Sequence, residues 1–188
     1  LPIVLKTVTG GYDGKGQFVL RSEDQIDTAW AELGPAKSLI AESFVKFSRE
    51  VSIIAVRGQD GDVKTWALAE NHHHNGILSH SIVPAPNSTD LQPVAQDYIT
   101  RLLNHLNYVG VLTLELFVTE QGLYANEMAC RVHNSGHWSI EGAICSQFEN
   151  HIRAVAGLPL GATDVVRPTV MINIIGQHPK SEDVLALK

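Results

Sequence analysis

The stretch GVLTLELFVTEQGLYANEM, residues 110–128, predicts a β-hairpin around which the rest of the chain can be interpreted. Its first half alternates between two faces, one with Leu112, Leu114, Leu116 and Val118, the other with Val111, Thr113, Glu115 and Phe117. Such alternation is typical of a strand. The return strand is LYANEM, and turn-forming residues separate the two halves.

The register of this hairpin determines where its two glutamates point. If the loop is residues 120–122, its glycine takes the left-handed position that a three-residue hairpin requires. Thr119 then pairs with Leu123, and Glu115 pairs with Glu127 on one face. Because like charges directly opposite each other destabilise a sheet, this register predicts a hard divalent cation such as Mg²⁺. A four-residue loop would put the glutamates on opposite faces, and periodicity alone leaves both registers open.

The segment NEMACRVHNSGHW, residues 126–138, concentrates polar chemistry as an ordinary strand or helix does not. Its carboxylate, guanidinium, imidazoles, carboxamides and hydroxyl belong to Glu127, Arg131, His133, His137, Asn126, Asn134 and Ser135. A metal-type ligand followed by an anion-binding arginine and a histidine indicates a site where anions meet a cation. The alternatives are a salt bridge between Arg131 and Glu127 and a capped turn at His133.

The stretch GGYDGKGQ, residues 10–17, predicts a glycine-rich loop between two strands. It is not a Walker A loop, because Lys15 is followed by Gly16 and not by serine or threonine. Its backbone N–H groups, with Lys15 and with Lys6 of the preceding strand, could still fold over phosphates. A flexible hairpin tip is the alternative. For a closing loop we expect this stretch to be the most mobile one in the nucleotide-free protein.

The run NHHHNG, residues 71–76, raises the alternative of a transition-metal site. On a strand, His72 and His74 would share a face and could bind one ion, whereas His73 would point away from them. No cysteine lies nearby in the sequence and no HExxH motif is present. Solvated side chains are therefore the simpler interpretation.

The remaining pattern mixes helices and strands. Strands are predicted at 3–8, 18–20, 39–45, 50–57, 63–70 and 169–175. A first helix, from Ser22 to Leu33, opens with a Ser22–Gln25 capping box and buries Ile26, Ala29, Trp30 and Leu33. A second helix ends near Leu106 and buries Ala95, Ile99, Leu102 and Leu106. A third helix is predicted near 140–156. Early strands followed by mixed segments indicate an α+β fold with two lobes.

Composition narrows the classes of function. The 188 residues are 44% hydrophobic, and no apolar run is long enough to span a membrane. The net charge of −6 argues against a nucleic-acid partner, so small molecules are the expected partners. Cys130 and Cys145 fit a reducing, cytoplasmic setting and are expected to pack as small apolar groups. Because the chain enters directly into a strand-like run and stops without a closing element, we expect it to be part of something longer.

The order of these segments resembles one family. The chain is similar to the 5-(carboxyamino)imidazole ribonucleotide synthetases, which are ATP-grasp enzymes, in VLKTVTGGYDGKGQ, IAESFVKFSREVSIIAVR, ENHHHNGIL, GVLTLELFV, NEMACRVHNSGHW and SQFENHIRAVAGLPLG. The resemblance runs from residue 1 to about Gly176. It implies an α+β ATP-grasp fold of two lobes with mostly antiparallel sheets and flanking helices. The small lobe would be 1–75, the large lobe 76–176, and 177–188 the start of a truncated C-terminal region.

The resemblance implies an ATP- and Mg²⁺-dependent carbon–nitrogen ligase of de novo purine biosynthesis. Such an enzyme makes carboxyphosphate from ATP and bicarbonate and carboxylates 5-aminoimidazole ribonucleotide, giving 5-(carboxyamino)imidazole ribonucleotide, ADP and phosphate. Mn²⁺ could replace Mg²⁺, and the full-length protein could be a homodimer. The chain alone is expected to lack part of the acceptor site. The alternatives are another ATP-grasp ligase, a nucleotide-binding fragment without catalysis, and a metal-dependent hydrolase that uses the histidine run.

The resemblance also implies a role for individual residues. The nucleotide phosphates would be bound by Lys6 and by Gly11, Tyr12, Asp13, Gly14, Lys15, Gly16 and Gln17. The adenine and ribose would be bound by Glu42, Ser43, Phe44, Val45 and Glu50, and the nucleotide would also be reached by His73. The metal would be held by Glu115 and Glu127, with Asn126 beside them. Bicarbonate and carboxyphosphate would be bound by Arg131, His133 and Asn134, and the aminoimidazole substrate would be contacted by Tyr12 and Lys15.

One departure from the family concerns Cys130. The family usually has proline there, in an APR sequence that reads ACR in this chain. Proline fixes φ before the arginine and cysteine does not, so we expect the loop that presents Arg131 to be less rigid.

Overall fold

The computed structural model of the chain describes residues 1–10, 15–34, 38–176 and 179–182. The chain forms two compact units: unit 1 is Leu1–Phe47 with His73–Ile77, and unit 2 is Ser48–His72 with Leu78–Lys188. Across the described ranges, every helix is too short or too polar to cross a membrane.

Unit 1 is built on a three-stranded antiparallel sheet in the order β2-β1-β3. Its strands are β1 (Ile3–Thr7), β2 (Gln17–Leu20) and β3 (Leu39–Ser43). A 3₁₀ turn at Glu23–Gln25 leads into helix α1 (Ile26–Leu33).

The start and the buried face of helix α1 both differ from the prediction. Ser22 makes no side-chain capping bond. The predicted capping box is wrong, because the side chain of Gln25 instead accepts a hydrogen bond from the backbone N–H of Arg21, at 2.9 Å. The helix buries only Ala29 and Leu33. Its other predicted core residues are exposed, because the helix contacts β2 and buries only the i, i+4 pair Ala29 and Leu33; they are Ile26 and Trp30.

Unit 2 is built on a larger sheet in the order β10-β7-β6-β4-β8-β9, with β5 paired to β4. Its strands are β4 (Arg49–Arg57), β5 (Val63–Thr65), β6 (Ala69–His74), β7 (Ile77–Val83), β8 (Gly110–Thr119), β9 (Gly122–Ala129) and β10 (Thr169–Ile172). The tip of the β6–β7 pair belongs to unit 1. Strand β4 pairs antiparallel with β8 along its whole length, which makes this pair the centre of the sheet.

The predicted strand at 63–70 is interrupted, so it forms both β5 and β6. At the interruption Trp66 turns inward and is 1% exposed, and its indole N–H donates to the carbonyl oxygen of Cys145 at 3.0 Å. The backbone N–H of Leu68 donates a hydrogen bond to the side-chain oxygen of Gln92, at 2.7 Å, and not to a neighbouring strand. The last strand is also shorter than predicted and ends at Ile172.

One face of the sheet packs against helix α2 (Leu91–His105). Its core consists of Val51, Ile53, Ala55, Leu112, Leu114 and Leu116, packed against Ala95, Ile99 and Leu103. The helix therefore buries an i, i+4 stripe, against whose core Leu102 also packs; the prediction was wrong in placing Leu106 on this stripe and in omitting Leu103. Leu102 is half-buried and Leu106 is 45% exposed.

The opposite face, which we call the α4 face, packs against helices α3 (Ser139–Gly142) and α4 (Gln147–Val155). Its buried apolar residues include Ile54, Val56, Val111, Trp138 and Ala154. The single helix predicted near 140–156 is thus two helices, because the chain is extended at Ala143 and Ser146 starts a new helix. The Ser146 hydroxyl accepts a hydrogen bond from the backbone N–H of Glu149 at 3.1 Å, which is a standard N-cap.

Candidate functional site

The β8–β9 hairpin has a shorter loop than predicted. Thr119 pairs with Gly122, so only Glu120 and Gln121 form the loop. The Thr119 hydroxyl closes this turn by accepting from the backbone N–H of Gln121 and donating to the carbonyl of Gly122. Gly122 has a φ of +118°, a conformation that favours glycine. The predicted three-residue loop and its Thr119–Leu123 pair are therefore wrong.

The predicted pair of glutamates is nevertheless present, because a bulge shifts the register by one residue. Leu116 pairs with Ala125, whereas Glu115 pairs with Glu127, which leaves Asn126 as the extra residue. A bulge of this kind places two residues of one strand opposite one residue of the other. Glu115 and Glu127 consequently face each other on the α4 face of the sheet.

The same face carries a row of polar residues across the central strands. Ser52 of β4 is the Cα partner of Glu115, which is in turn the partner of Glu127. Glu50 lies two residues before Ser52 on β4 and therefore points to the same face. Unit 2 thus brings together the residue predicted to bind ribose and the two predicted to hold a metal.

His133 joins this row from the loop after β9. Its Nε2 lies 3.2 Å from Oε1 of Glu115, and the two side chains are only 13% and 19% exposed. From the sequence, Glu115 was expected to bind the metal and His133 to bind bicarbonate, yet the two side chains contact each other directly. The backbone of His133 is also fixed, because the side chain of Gln147 accepts from its N–H at 3.0 Å and donates to its carbonyl at 2.6 Å.

The turn that follows His133 packs closely against the sheet. It is a 3₁₀ turn at Asn134–Gly136. A Cβ atom on Gly136 would lie 2.4 Å from Cδ1 of Ile54 and 2.5 Å from Oε1 of Gln147. Glycine is therefore required there for the turn to approach β4 and for Gln147 to reach His133.

Two predicted anion-binding residues flank His133. Arg131 is exposed, and its Nη1 donates to the neighbouring carbonyl of Val132 at 3.0 Å. The side-chain oxygen of Asn134 is buried and has no hydrogen-bond partner among the described residues. A buried carboxamide with an unused polar atom is suited to a small polar ligand, since burial without a partner costs free energy.

The segment before Arg131 is tied down at Cys130, the position where the family usually has proline. The Tyr108 hydroxyl donates to the carbonyl oxygen of Cys130 at 2.8 Å. Burial, and to a smaller extent the charge of Cys130, raises the pKa of Tyr108. Both cysteines are free thiols; Cys145 is buried as predicted, whereas Cys130 is exposed and the prediction of apolar packing is wrong for it.

The donor atoms around Glu115 fit a hard cation. Within the described residues, no three side chains of His, Cys, Asp or Glu are grouped to hold a metal. Mg²⁺ usually takes only one or two protein carboxylates and completes its octahedron with water and substrate phosphates. Two opposed carboxylates with a carboxamide at the bulge are therefore a suitable donor set for Mg²⁺, and Mn²⁺ accepts the same oxygen ligands.

In unit 1, several predicted phosphate- and adenine-binding residues share one face of the small sheet. Lys6 pairs with Gln17, and Glu42 is the partner of Val4, which lies two residues before Lys6. Nζ of Lys6 forms an ion pair with Oε2 of Glu42 at 2.7 Å. Gly16 accepts a backbone hydrogen bond from Thr7 at 2.8 Å. Residues 11–14, and with them the prediction of a mobile loop, lie outside the described residues.

The other predicted nucleotide residues of unit 1 are on or just after β3, or at the β6–β7 tip. Ser43 ends β3, and Phe44 and Val45 follow it half-buried. The Arg21 guanidinium carbon lies 5.3 Å from the ring centroid of Phe44, a cation–π contact. His73 is exposed.

In the histidine run 72–74, His72 has local contacts within unit 2. Nε2 of His72 lies 3.0 Å from Glu70, although not in hydrogen-bond geometry, and Glu70 also pairs with Arg49 at 2.7 Å. The His72 ring stacks on His80 with centroids 4.3 Å apart. His74 is exposed.

Three site residues received no role from the sequence: Ser52, Ser135, whose hydroxyl was noted in the polar segment, and Gln147. They are 1%, 0% and 0% exposed, and each has its side chain hydrogen-bonded within this site. Ser52 left one signal, because it is the polar residue inside the apolar strand EVSIIAVR. A polar side chain at such a position needs a partner, but the sequence does not indicate which one.

Comparison with known proteins identifies the class. The ATP-grasp domain profile matches residues 1–148. The chain therefore belongs to the ATP-grasp family, and the predicted α+β ATP-grasp fold is confirmed.

Within that family, the following three relatives are synthases or synthetases of one kind. The chain is 54% identical, over 187 residues, to the N5-carboxyaminoimidazole ribonucleotide synthase of Pseudomonas aeruginosa, covering 100% of this chain and 51% of the relative. The synthetase structure from Thermus thermophilus matches with a TM-score of 0.89 and 49% identity, covering 98% of this chain and 50% of that one. An Aspergillus clavatus synthase in complex with ADP and 5-aminoimidazole ribonucleotide matches with a TM-score of 0.83 and 32% identity, covering 94% and 46%. The chain thus spans about half the length of the curated relatives it matches.

Proposed function

We propose that the protein is an ATP-dependent carbon–nitrogen ligase that carboxylates 5-aminoimidazole ribonucleotide with bicarbonate, in de novo purine biosynthesis. The observation that carries this proposal is the Glu115–Glu127 pair with His133 beside it, in a chain that is 54% identical to an N5-carboxyaminoimidazole ribonucleotide synthase. The products are 5-(carboxyamino)imidazole ribonucleotide, ADP and phosphate.

The proposed reaction has two steps. A bicarbonate oxygen attacks the γ-phosphorus of ATP, and the bond to the leaving ADP breaks, which gives carboxyphosphate. The exocyclic amine of the ribonucleotide then attacks either the carboxyl carbon of carboxyphosphate, which displaces phosphate, or the CO₂ that carboxyphosphate releases together with phosphate. In both cases the nitrogen loses a proton. Because two anions must approach each other in the first step, the site has to supply positive charge and exclude water.

Glu115 and Glu127 would hold Mg²⁺, with Asn126 beside them. The metal would neutralise charge on the ATP phosphates during transfer. The support for this assignment is the register that places the two carboxylates opposite each other on one face. An unneutralised carboxylate pair in that position would be unfavourable, so a bound cation also relieves a cost in the fold.

Arg131, His133 and Asn134 would bind bicarbonate and carboxyphosphate. Arg131 is exposed at the start of residues 131–134, where its guanidinium can form two parallel hydrogen bonds with one anion. Asn134 contributes a carboxamide whose buried oxygen has no partner among the described residues. Bicarbonate has one O–H donor and several acceptor oxygens, so a carboxamide can complement it.

The residues proposed to bind the nucleotide are those that the family resemblance implies. The phosphates would be contacted by Lys6 and the loop 11–17, and adenine by Glu42, Ser43, Phe44 and Val45. Glu50 would bind the ribose, and His73 would reach the nucleotide. Lys6 is ion-paired to Glu42 at 2.7 Å, so phosphate binding would redirect a lysine that already has a fixed position. Tyr12 and Lys15 would contact the aminoimidazole substrate.

A cytoplasmic location, partners limited to these small molecules, and a homodimer of the full-length protein remain predictions that accompany this function.

The proposal is tested by measuring ADP formation by the full-length protein with each substrate omitted in turn. We expect full activity only when Mg-ATP, bicarbonate and 5-aminoimidazole ribonucleotide are all present. Stimulation by a different acceptor amine would indicate another ATP-grasp ligase. ATP binding without ADP formation under any combination would indicate a nucleotide-binding protein without catalysis.

A further inference from the structure

The His133 ring is directed by contacts at both of its nitrogens. Nε2 lies 3.2 Å from Glu115, and Nδ1 lies 2.9 Å from the hydroxyl oxygen of Ser135. The backbone N–H of Ser135 also donates to Nδ1, at 3.3 Å. A ring held at both ends in this way has one orientation.

The hydrogen bonds around this ring run in one direction. Because a backbone N–H can only donate, Nδ1 of His133 is the acceptor, and Nε2 carries the proton that faces Glu115. The Ser52 hydroxyl donates to the Ser135 hydroxyl at 2.8 Å, which leaves Ser135 to donate to Nδ1. The order of donation is therefore Ser52 to Ser135 and Ser135 to His133, which turns Nε2 of His133 toward Glu115 at 3.2 Å.

The first two members of this series of hydrogen bonds lie in the core. Ser52 and Ser135 are 1% and 0% exposed. Ser52 and Glu115 are Cα partners on the neighbouring strands β4 and β8, so the series of contacts starts and ends in one row of the sheet. Buried networks with every member bonded hold their side chains more firmly than single contacts do.

We propose that Ser52 and Ser135 are positioning residues, which hold the His133 ring with Nε2 toward Glu115 and thereby orient that carboxylate for a divalent cation. The inference rests on the proposed function, because it takes Glu115 as a metal ligand. Groups that orient a ligating side chain set its direction and basicity, and their loss commonly costs about 10–100-fold in metal affinity or activity. Ser135 acts on Glu115 only through His133. We therefore expect the loss of metal affinity on removing its hydroxyl to be at the lower end of that range, about tenfold.

The test uses Ser135→Ala in the full-length protein, with Mn²⁺ as the probe ion in the presence of ADP. The matched control is Ser88→Ala, which also removes a buried hydroxyl, one that bonds only locally to the carbonyl of Ala85 in the loop before α2. We expect Mn²⁺ affinity to fall about tenfold in Ser135→Ala and to stay unchanged in Ser88→Ala. Ser52→Ala should have the same effect to a smaller extent, and it carries the test if Ser135→Ala does not fold.

A second readout reports the ring itself and needs no activity. In protein labelled with ¹⁵N-histidine, the His133 resonances, identified by their loss in His133→Gln, should report a protonated Nε2 in the wild type. Ser135→Ala should introduce the other tautomer. In the double variant Ser52→Ala/Ser135→Ala, Mn²⁺ affinity should fall no further than in Ser135→Ala, because the two hydroxyls act through one ring.

Three results would overturn the proposal: unchanged Mn²⁺ affinity in Ser135→Ala, equal losses in Ser135→Ala and Ser88→Ala, or a His133 tautomer that does not respond. Failure of the proposed function looks different. A wild-type protein that forms no ADP with bicarbonate and 5-aminoimidazole ribonucleotide would refute the carboxylation, whereas the Mn²⁺ and ¹⁵N results would still decide the role of the two serines.

Discussion

Glu115 has three polar neighbours at once: Ser52 and Glu127 across the sheet and His133 from the loop after β9. Two carboxylates opposite each other are unfavourable in a sheet, and a bound cation would reduce that cost. The sequence correctly predicted that Glu115 and Glu127 pair. It did not predict the bond between Ser52 and Ser135, because these residues are 83 positions apart.

His137 gives a prediction about pH. Its ring packs against Phe148 with centroids 5.6 Å apart, and although His137 as a whole is exposed, the partial burial of its ring lowers the pKa of His137. Because this pKa is lower in the folded than in the unfolded chain, the unfolded chain takes up the proton first as the pH falls below about 6.5. The wild type should therefore lose more unfolding free energy than His137→Gln between about pH 7.5 and about pH 5. Urea denaturation at both pH values measures this, and equal losses would contradict it.

Among the elements, the β8–β9 hairpin shows how a wrong prediction of the loop length can still give the correct pair of glutamates. The loop is one residue shorter than the sequence suggested, and the bulge at Asn126 adds one residue back, so Glu115 still meets Glu127. Alternation identified both strands, because side-chain periodicity is a local property. The bulge was not predictable in the same way, since it depends on how β9 packs beyond the turn.

Helix α2 gives a matched test of its corrected buried stripe. Leu103 is fully buried in the core and Leu106 is 45% exposed. Leu103→Ala should therefore reduce the free energy of unfolding by about 2–5 kcal/mol, through lost apolar burial and a cavity. Leu106→Ala, the same change one turn later, should cost at most about 0.5 kcal/mol. Chemical denaturation of both variants measures these two losses of unfolding free energy. A larger loss in Leu106→Ala than in Leu103→Ala would show that Leu106 belongs to the buried stripe after all.

For the whole molecule, the fold class was predictable and the detailed packing was not. The α+β class follows from the order of strand and helix patterns and from the resemblance, and the ATP-grasp profile over residues 1–148 agrees with it. The detailed packing depends on contacts between segments that are distant in the sequence. Gln147 holds His133 from α4, 14 residues away, and Gly136 allows that approach by leaving space beside Ile54. No local periodicity encodes such contacts.

We propose that different residues of unit 2 carry the metal–nucleotide role and the acceptor-anion role. This division of roles is tested most directly by titrating Mg-ATP binding and bicarbonate-dependent phosphate release in parallel, in Arg131→Ala and Glu127→Ala of the full-length protein. Arg101→Ala is the control, because Arg101 is an exposed arginine on α2 that pairs with Asp97. It should behave as the wild type.

In Arg131→Ala, Mg-ATP affinity should be nearly unchanged, whereas bicarbonate-dependent phosphate release should fall by about 10²–10³, the usual effect of losing one group that stabilises charge in transfer. In Glu127→Ala both quantities should fall, because the metal joins the protein to the phosphates. If Arg131→Ala instead weakens Mg-ATP binding as severely as Glu127→Ala does, Arg131 belongs to the nucleotide site and the assignment of the acceptor anion is wrong.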